Sequence, residues 1–275
     1  MLRSMYSAVS GMRGFQTKLD VIGNNIANVN TVGFKKSRVM FQDVLSQNLS
    51  GATVPQQGTR GGVNPRQVGL GVQIGAIDTL HTPGSPMTTG VLTDLAIAGD
   101  GFFLVSPDGN PDNFYLTRAG NFTLDAEGQL VTADGYFVLG TDGVITIPQG
   151  QYVAYDITRN GSIVGYDQNG NANVLANLEI AFVNNPGGLR KVGGSLYEMT
   201  VNAHPNGQPV RGSLDQLRAN IGLVSEIYSG MLEMSNVDLT EEFTEMIVAQ
   251  RGFQANSRII TTSDEILQEV VNLKR

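Results

Sequence analysis

The sequence contains no cysteine and only two histidines, His81 and His204. That removes disulfides, thiolate metal sites and cysteine nucleophiles together, and two lone imidazoles in proline-containing loop sequence make zinc chemistry a poor expectation. Basic residues are also scarce. A formal net charge of -7 and a pI of about 4.8, with no cluster of Lys and Arg, argue against a nucleic-acid or anionic-membrane surface. The longest clean apolar runs are a few residues, such as Leu95 to Ala98. They supply neither a membrane span nor the apolar core of a signal peptide, so the chain is expected to be cytosolic or to leave the cell by a route needing no such peptide.

What is present begins with residues 1 to 40. Leu2, Met5, Val9, Met12, Phe15, Leu19, Ile22, Ile26 and Val29 recur at steps of three and four, the period of a coiled-coil seam. The pattern predicts a helix of about 28 residues, a rod of roughly 40 Å. It ends in Asn28, Asn30, Thr31 and Gly33, which leave helical geometry readily. Nothing nearby in sequence can cover such a helix. Val39 to Leu49 reads as a short amphipathic segment, and Ser50 to Gln67, rich in Gly, Gln, Thr, Pro and Asn, as a linker or extended arm.

From Gly69 the periodicity changes to two. Ala96 to Ala98, Phe102 to Val105, Phe114 to Leu116, Phe122 to Leu124, Leu130 to Thr132 and Tyr136 to Leu139 are β-prone runs. Further strands are expected over Tyr152 to Thr158, Ser162 to Tyr166, Leu178 to Val183 and Leu196 to Thr200. Between them stand Asp100-Gly101, Asp108-Gly109, Glu127-Gly128, Asp134-Gly135, Asp142-Gly143, Asn160-Gly161 and Asn169-Gly170. These dipeptides supply the positive φ of tight turns, so their spacing predicts an antiparallel meander or sandwich.

Beyond Pro209 there is no proline, and Asp238 followed by Glu241 has the spacing of a capping box opening a second long helix. Its main stripe is Leu239, Phe243, Met246, Phe253, Ile260, Leu267 and Val271, with Gln250, Ser257 and Asp264 diluting the seam. Ile247, Val248, Ile259, Ile266 and Val270 lie off that stripe, so one partner helix is too few. Residues 1 to 40 carry six basic side chains and one acidic, whereas 233 to 275 carry eight acidic and four basic, so the two ends attract. The expected fold is α+β: a long helical coiled-coil stem from both termini with an inserted antiparallel β-rich domain. The boundaries read 1–46 for the amino-terminal stem segment, 47–68 for the arm, 69–230 for the β-rich domain and 231–275 for the carboxy-terminal stem segment. Such a stem is poorly covered in a monomer and favours assembly. The expected seam is Leu2, Met5, Val9, Met12, Leu19, Ile22 and Ile26 against Leu239, Phe243, Met246, Phe253, Ile260 and Leu267.

Catalytic readings are weak. Asp94, Asp100, Asp108, Asp112 and Asp125 could pair as carboxylates of a β-rich carbohydrate-active enzyme, but turn aspartates are abundant in hairpins. Asp108 to Asn113 contains Pro111 and lacks the spaced oxygen ligands of a calcium loop. Gly69, Gly71 and Gly75 miss the dinucleotide spacing, and no nucleophile elbow occurs. No catalytic residue, metal site or cofactor is expected. Lys35, Lys36 and Arg38 read either as a dock for an acidic neighbour or as a solvated basic turn. Asn24, Asn25, Asn28 and Asn30 read either as bridges between subunits or as plain helix termination.

Three motifs, in order, resemble the axial proteins of the bacterial flagellum, the hook and rod family. The first is Asp20-Val21-Ile22-Gly23-Asn24-Asn25-Ile26-Ala27-Asn28 continued by Asn30-Thr31-Val32-Gly33-Phe34-Lys35. The second joins Asp94 to Phe103 with Thr117-Arg118-Ala119-Gly120-Asn121-Phe122 and Gly128 to Thr132. The third is Ser235 to Leu239 with Met246-Ile247-Val248-Ala249-Gln250-Arg251-Gly252-Phe253-Gln254. Within the family the hook subunits are the nearer resemblance, through Gly23 to Ile26 and Val271 to Arg275, and the distal rod subunits the second. The polar Ser50 to Gln67 segment and the lack of room for a large outer domain are rod-like, although short hook proteins share both. The resemblance implies a structural subunit, exported unfolded through the flagellar type III apparatus, that polymerises head-to-tail into a hollow helical tube. It further implies contacts with rod, hook-cap and hook-filament junction proteins, a place in the hook or basal body outside the cell, and no membrane insertion. Asn24, Asn25, Asn28, Asn30, Gly33, Phe34, Gln250 and Arg251 are the motif residues it marks.

Overall fold

The structure is a computed structural model that describes residues 2–55, 61–148, 150–168, 170–205, 207–222 and 224–273, with the backbone alone at Leu2. Helices stand at both ends of the chain and antiparallel strands lie between them, an α+β fold. The chain divides into two compact units. One comprises 1–27, 37–79 and 238–275; the other comprises 28–36 and 80–237.

In the first unit, α1 (Leu2–Ala27) and α3 (Leu239–Leu273) pack against each other in antiparallel sense. Helix α1 forms without proline and despite three internal glycines, each of which costs about 1 kcal/mol in a helix. Two of those glycines face close packing partners: Gly11 meets Asn256 and Gly14 meets the Phe41 ring. Asp238 caps α3, its carboxylate accepting from the backbone N–H of Thr240 at 2.8 Å and of Glu241 at 3.3 Å. The residues between these helices do not form a linker. β1 (Ser37–Asp43) pairs antiparallel with β4 (Val72–Thr79), and β2 (Ser46–Ser50) with β3 (Arg66–Gly69), and a bridge from Thr53 to Val63 continues the hairpin. The apolar pattern of Val39 to Leu49 is therefore that of strands, and the polar arm is the extension of a hairpin; 56–60 lie outside the described residues.

The second unit is built on strand Phe102–Ser106, in which every residue is buried. Its side chains alternate. Phe103 and Val105 enter one core with Leu130, Val138, Ile163, Leu178 and Ile180, while Phe102 and Leu104 enter another with Leu116, Leu139 and Tyr197. A strand buried on both faces must be apolar at consecutive positions, which explains the Phe-Phe-Leu-Val run. Around it an antiparallel sheet runs in the order Arg190–Gly193, Leu196–Glu198, Tyr115–Thr117, Phe102–Ser106, Phe137–Gly140, Leu130–Val131 and Thr123–Leu124. A second sheet joins Ala154–Ile157, Ser162–Tyr166 and Ala172–Asn177. The expected strands form, and the glycines of all seven turn dipeptides have φ between 70° and 133°; Asn169 itself lies outside the described residues. A short helix, α2 (Leu214–Ile221), goes unread in the sequence although Ser213 and Gln216 close a capping box and Gly222 ends it at φ 67°.

Candidate functional site: an assembly face and a buried anchor

The face of α1 turned to α3 is made of Ala8, Gly11, Phe15, Lys18, Ile22 and Asn25, a heptad row. Glu242, Ala249, Asn256 and Ser263 form the matching row on α3, and the first, second and fourth of these are buried. The pairs are fixed by contact. Asn25 donates to the Glu242 carboxylate at 3.1 Å, and Lys18 pairs with Glu245. A Cβ on Gly11 would lie 2.9 Å from the Asn256 amide, and one on Gly252 would lie 2.5 Å from the Phe15 ring. The Asn25 amide also donates to the Ser37 carbonyl at 2.9 Å and accepts from the Ser37 N–H at 3.0 Å, tying the start of β1 to the end of α1. On α3 small and polar side chains thus line the contact, met by Phe15 and Ile22 among the α1 row, and the large apolar residues of α3 fall largely elsewhere.

Of the residues expected in the seam, Ile22 is buried, and Met5, Val9, Met12, Leu19, Ile26, Met246, Ile260 and Leu267 are half-buried. Leu239, Phe243 and Phe253 are exposed at 40%, 50% and 37%. The Leu2 side chain lies outside the described residues. Ile247, Val248, Ile259, Ile266, Val270, Val271 and Leu273 are exposed as well, so α3 presents ten large apolar side chains to solvent. Gln250 and Arg251 are exposed beside them, as is Asn24 on α1. No helix among the described residues is long and apolar enough to cross a membrane.

The second unit contains a buried charged cluster. Lys35 is fully buried, which corrects the reading of it as a solvated turn residue, and the acid it meets lies in its own chain. Its ammonium donates to Glu233 at 2.5 Å and to the Thr82 carbonyl at 2.8 Å. Glu233 also accepts from the Gly84 N–H at 2.9 Å and from Arg118 at 3.3 Å, and Arg118 donates to the Gly99 carbonyl at 2.7 Å. Burial pushes the Lys35 ammonium below its ordinary range, against the raising pull of Glu233. Gly33, at φ 67°, stands where a Cβ would lie 2.5 Å from the Ala119 nitrogen, and its N–H donates to the Glu233 carbonyl at 2.8 Å. Phe34 is buried beneath the Lys191 ammonium, 4.2 Å from its ring centre. Asn28 accepts from the Thr31 hydroxyl at 3.1 Å, a local turn, and Asn30 is exposed. His81 is no ordinary loop residue. It sits 5.3 Å from Tyr197 and 5.7 Å from Phe102, ring to ring, and burial together with Lys35 and Arg118 lowers its pKa to about 4. Glu233 went unread in the sequence, where its one signal is a lone carboxylate between Leu232 and Met234. Among the described residues no group of His, Asp and Glu could hold a metal ion.

Comparison with known proteins agrees with this architecture along the whole chain. Residues 5–35 match the family described as flagella basal body rod protein, 96–165 the flagellar hook protein FlgE/F/G D1 domain, and 228–273 the flagellar basal body rod FlgEFG protein C-terminal region. The flagellar basal-body rod protein FlgG of Bacillus subtilis is 52% identical, with all of both chains covered. In Borreliella burgdorferi the FlgG rod protein is 38% identical over 281 positions and the FlgE hook protein 30% identical over 453, again with both chains covered in full. The chain belongs to the FlgE/F/G family of flagellar rod and hook proteins.

Proposed function

We propose that this chain is a structural subunit of the distal flagellar rod that polymerises with copies of itself into a tube in the basal body. The exposed apolar side chains of α3 carry the reading, because ten of them spread over more than one side of a helix call for neighbours that a monomer does not supply. Rod is preferred to hook on two grounds. Within one organism, Borreliella burgdorferi, the chain is more similar to the rod protein than to the hook protein. It also aligns with the rod relatives at nearly its own length, whereas the hook alignment must open gaps for additional sequence. Leu2, Met5, Val9, Met12, Leu19, Ile22, Ile26, Leu239, Phe243, Met246, Phe253, Ile260 and Leu267 are the residues assigned to assembly, within a chain or between copies. Export through the flagellar type III apparatus and contacts with neighbouring rod and hook proteins belong to the same reading, and the role is structural rather than catalytic.

Deleting the gene tests it. Loss of a distal rod subunit should stop basal bodies before the hook begins, seen by electron microscopy of isolated basal bodies. Completed rods that lack only a hook would return the assignment to the hook.

A further inference from the structure

We infer that the β-rich unit holds a binding site for a small carboxylate anion, in a cavity lined by Arg118 and His81; the inference is independent of the polymer proposed above. The cavity, of about 140 Å³, also takes in the buried Phe102 and Val183 and, exposed to solvent, Asp100.

Buried polar atoms here lack partners. Arg118 is 3% exposed. Its Nη1 donates to the Ile97 carbonyl and to Glu233, and its Nη2 to the Gly99 carbonyl. Its buried Nε makes no hydrogen bond among the described residues. The same holds for Nδ1 of His81 and for the hydroxyl of Tyr197, whose ring lies 5.3 Å from the imidazole. A buried donor without an acceptor is costly, and a cavity beside such donors is where an acceptor fits.

Charge decides which acceptor. Lys35 and Arg118 share the single carboxylate of Glu233, so this buried cluster carries one positive charge in excess. Its field reaches the imidazole: after burial, the influences that lower the His81 pKa to about 4 are Lys35, Arg118 and Lys191. At neutral pH that ring is neutral and can carry its proton on Nδ1, donating beside Arg118. Water would satisfy these donors but leave the charge, whereas an anion answers both. The planar guanidinium edge selects a carboxylate. Size selects a small one, since pockets for drug-sized ligands begin at roughly 300 Å³. The Asp100 carboxylate, exposed beside the cavity, opposes an entering anion and weakens the site.

The presence of only two histidines makes the test direct, because His81 lines the cavity and His204 does not. The imidazole C–H signals of the full chain are followed by NMR at neutral pH, below the concentration at which it polymerises, as sodium acetate is added; His204→Gln assigns them. The expected result is a His81 signal that moves and saturates while the His204 signal stays in place. Arg118→Met removes the donor and the excess charge and should weaken binding at least about tenfold. Asp100→Asn removes the opposing charge and should tighten it about twofold. Circular dichroism verifies that each variant is folded; if Arg118→Met is not, the wild-type titration and Asp100→Asn decide. A His81 signal that stays still, drifts without saturating or moves in step with His204 would mean that water alone serves these donors, and would overturn the site. Saturation with an affinity that Asp100→Asn leaves unchanged would put the anion elsewhere and overturn it as well.

Discussion

Glu233 holds two cations out of water, since Lys35 and Arg118 both end on its carboxylate and neither is paired with another acid among the described residues. Its removal should therefore cost more than removal of either cation. Glu233→Gln is expected to destabilise the β-rich unit by about 3–5 kcal/mol, because it leaves two buried charges uncompensated. Lys35→Met leaves a neutral Arg118–Glu233 pair and is expected to cost clearly less. Urea unfolding of the two variants checks the order, and equal losses would contradict it. His81 gives a pH dependence. Its folded pKa of about 4 lies below the ordinary value of 6.5. The unfolded chain therefore takes up the proton first as pH falls. Stability should drop between about pH 6.5 and pH 4 and level off below, by about 1–2 kcal/mol after solvent screening. Thermal unfolding of His81→Leu across that window should show a flatter curve; an unchanged slope would assign the effect to another group. Lys35 and Arg118 stand in the quoted motifs, but their meeting on Glu233 was not legible in the sequence. The charged residues come from segments about 80 and 115 positions apart, and sequence periodicity reports faces of one element, not meetings of three.

At the scale of elements, the heptad period of both termini was legible, but the phase of the contact was not. Apolar side chains at steps of three and four predict a helix reliably, yet the row packed inside the chain is Glu242, Ala249, Asn256 and Ser263, one position before Phe243, Gln250, Ser257 and Asp264. Seating Phe15 and Ile22 of α1 against α3 needs small or polar side chains on α3, so the bulky apolar ones of that helix rotate away from the contact. Gly252 tests this. A side chain there meets three Phe15 ring atoms at 2.5–2.8 Å. Gly252→Val is expected to lower the stability of the helical unit by about 1–3 kcal/mol through overpacking, despite the loss of a helix-weakening glycine. Helical circular dichroism on heating measures it, and a raised transition would show that Phe15 simply moves aside. The arm illustrates the converse limit. Ser50 to Gln67 has almost no apolar pattern because every described residue in it is exposed, so only backbone pairing reveals a hairpin.

For the whole molecule, the exposed face of α3 sets the behaviour in solution. Burying a large apolar side chain contributes about 1.5–3 kcal/mol, and each 1.4 kcal/mol is a tenfold change in an association constant. Phe243→Gln combined with Val248→Gln should raise the concentration at which the chain polymerises at least tenfold, with the monomer's helix content unchanged, as both side chains are already about half exposed. Sedimentation across a concentration series checks this. Polymerisation at the wild-type concentration would remove that part of α3 from the interface.

The amino-acid sequence by itself determined the element types, the turn positions and the family, because periods of 3.6 and 2, Asp-Gly and Asn-Gly turns and short motifs are local properties of a chain. The tertiary structure decided which apolar residues are spent inside one molecule and which are left for others. It also decided that Lys35 is a buried ion-pair partner rather than a surface charge. Those outcomes depend on which distant segments meet, and a helix carries apolar side chains for its own core and for its neighbours in the same notation.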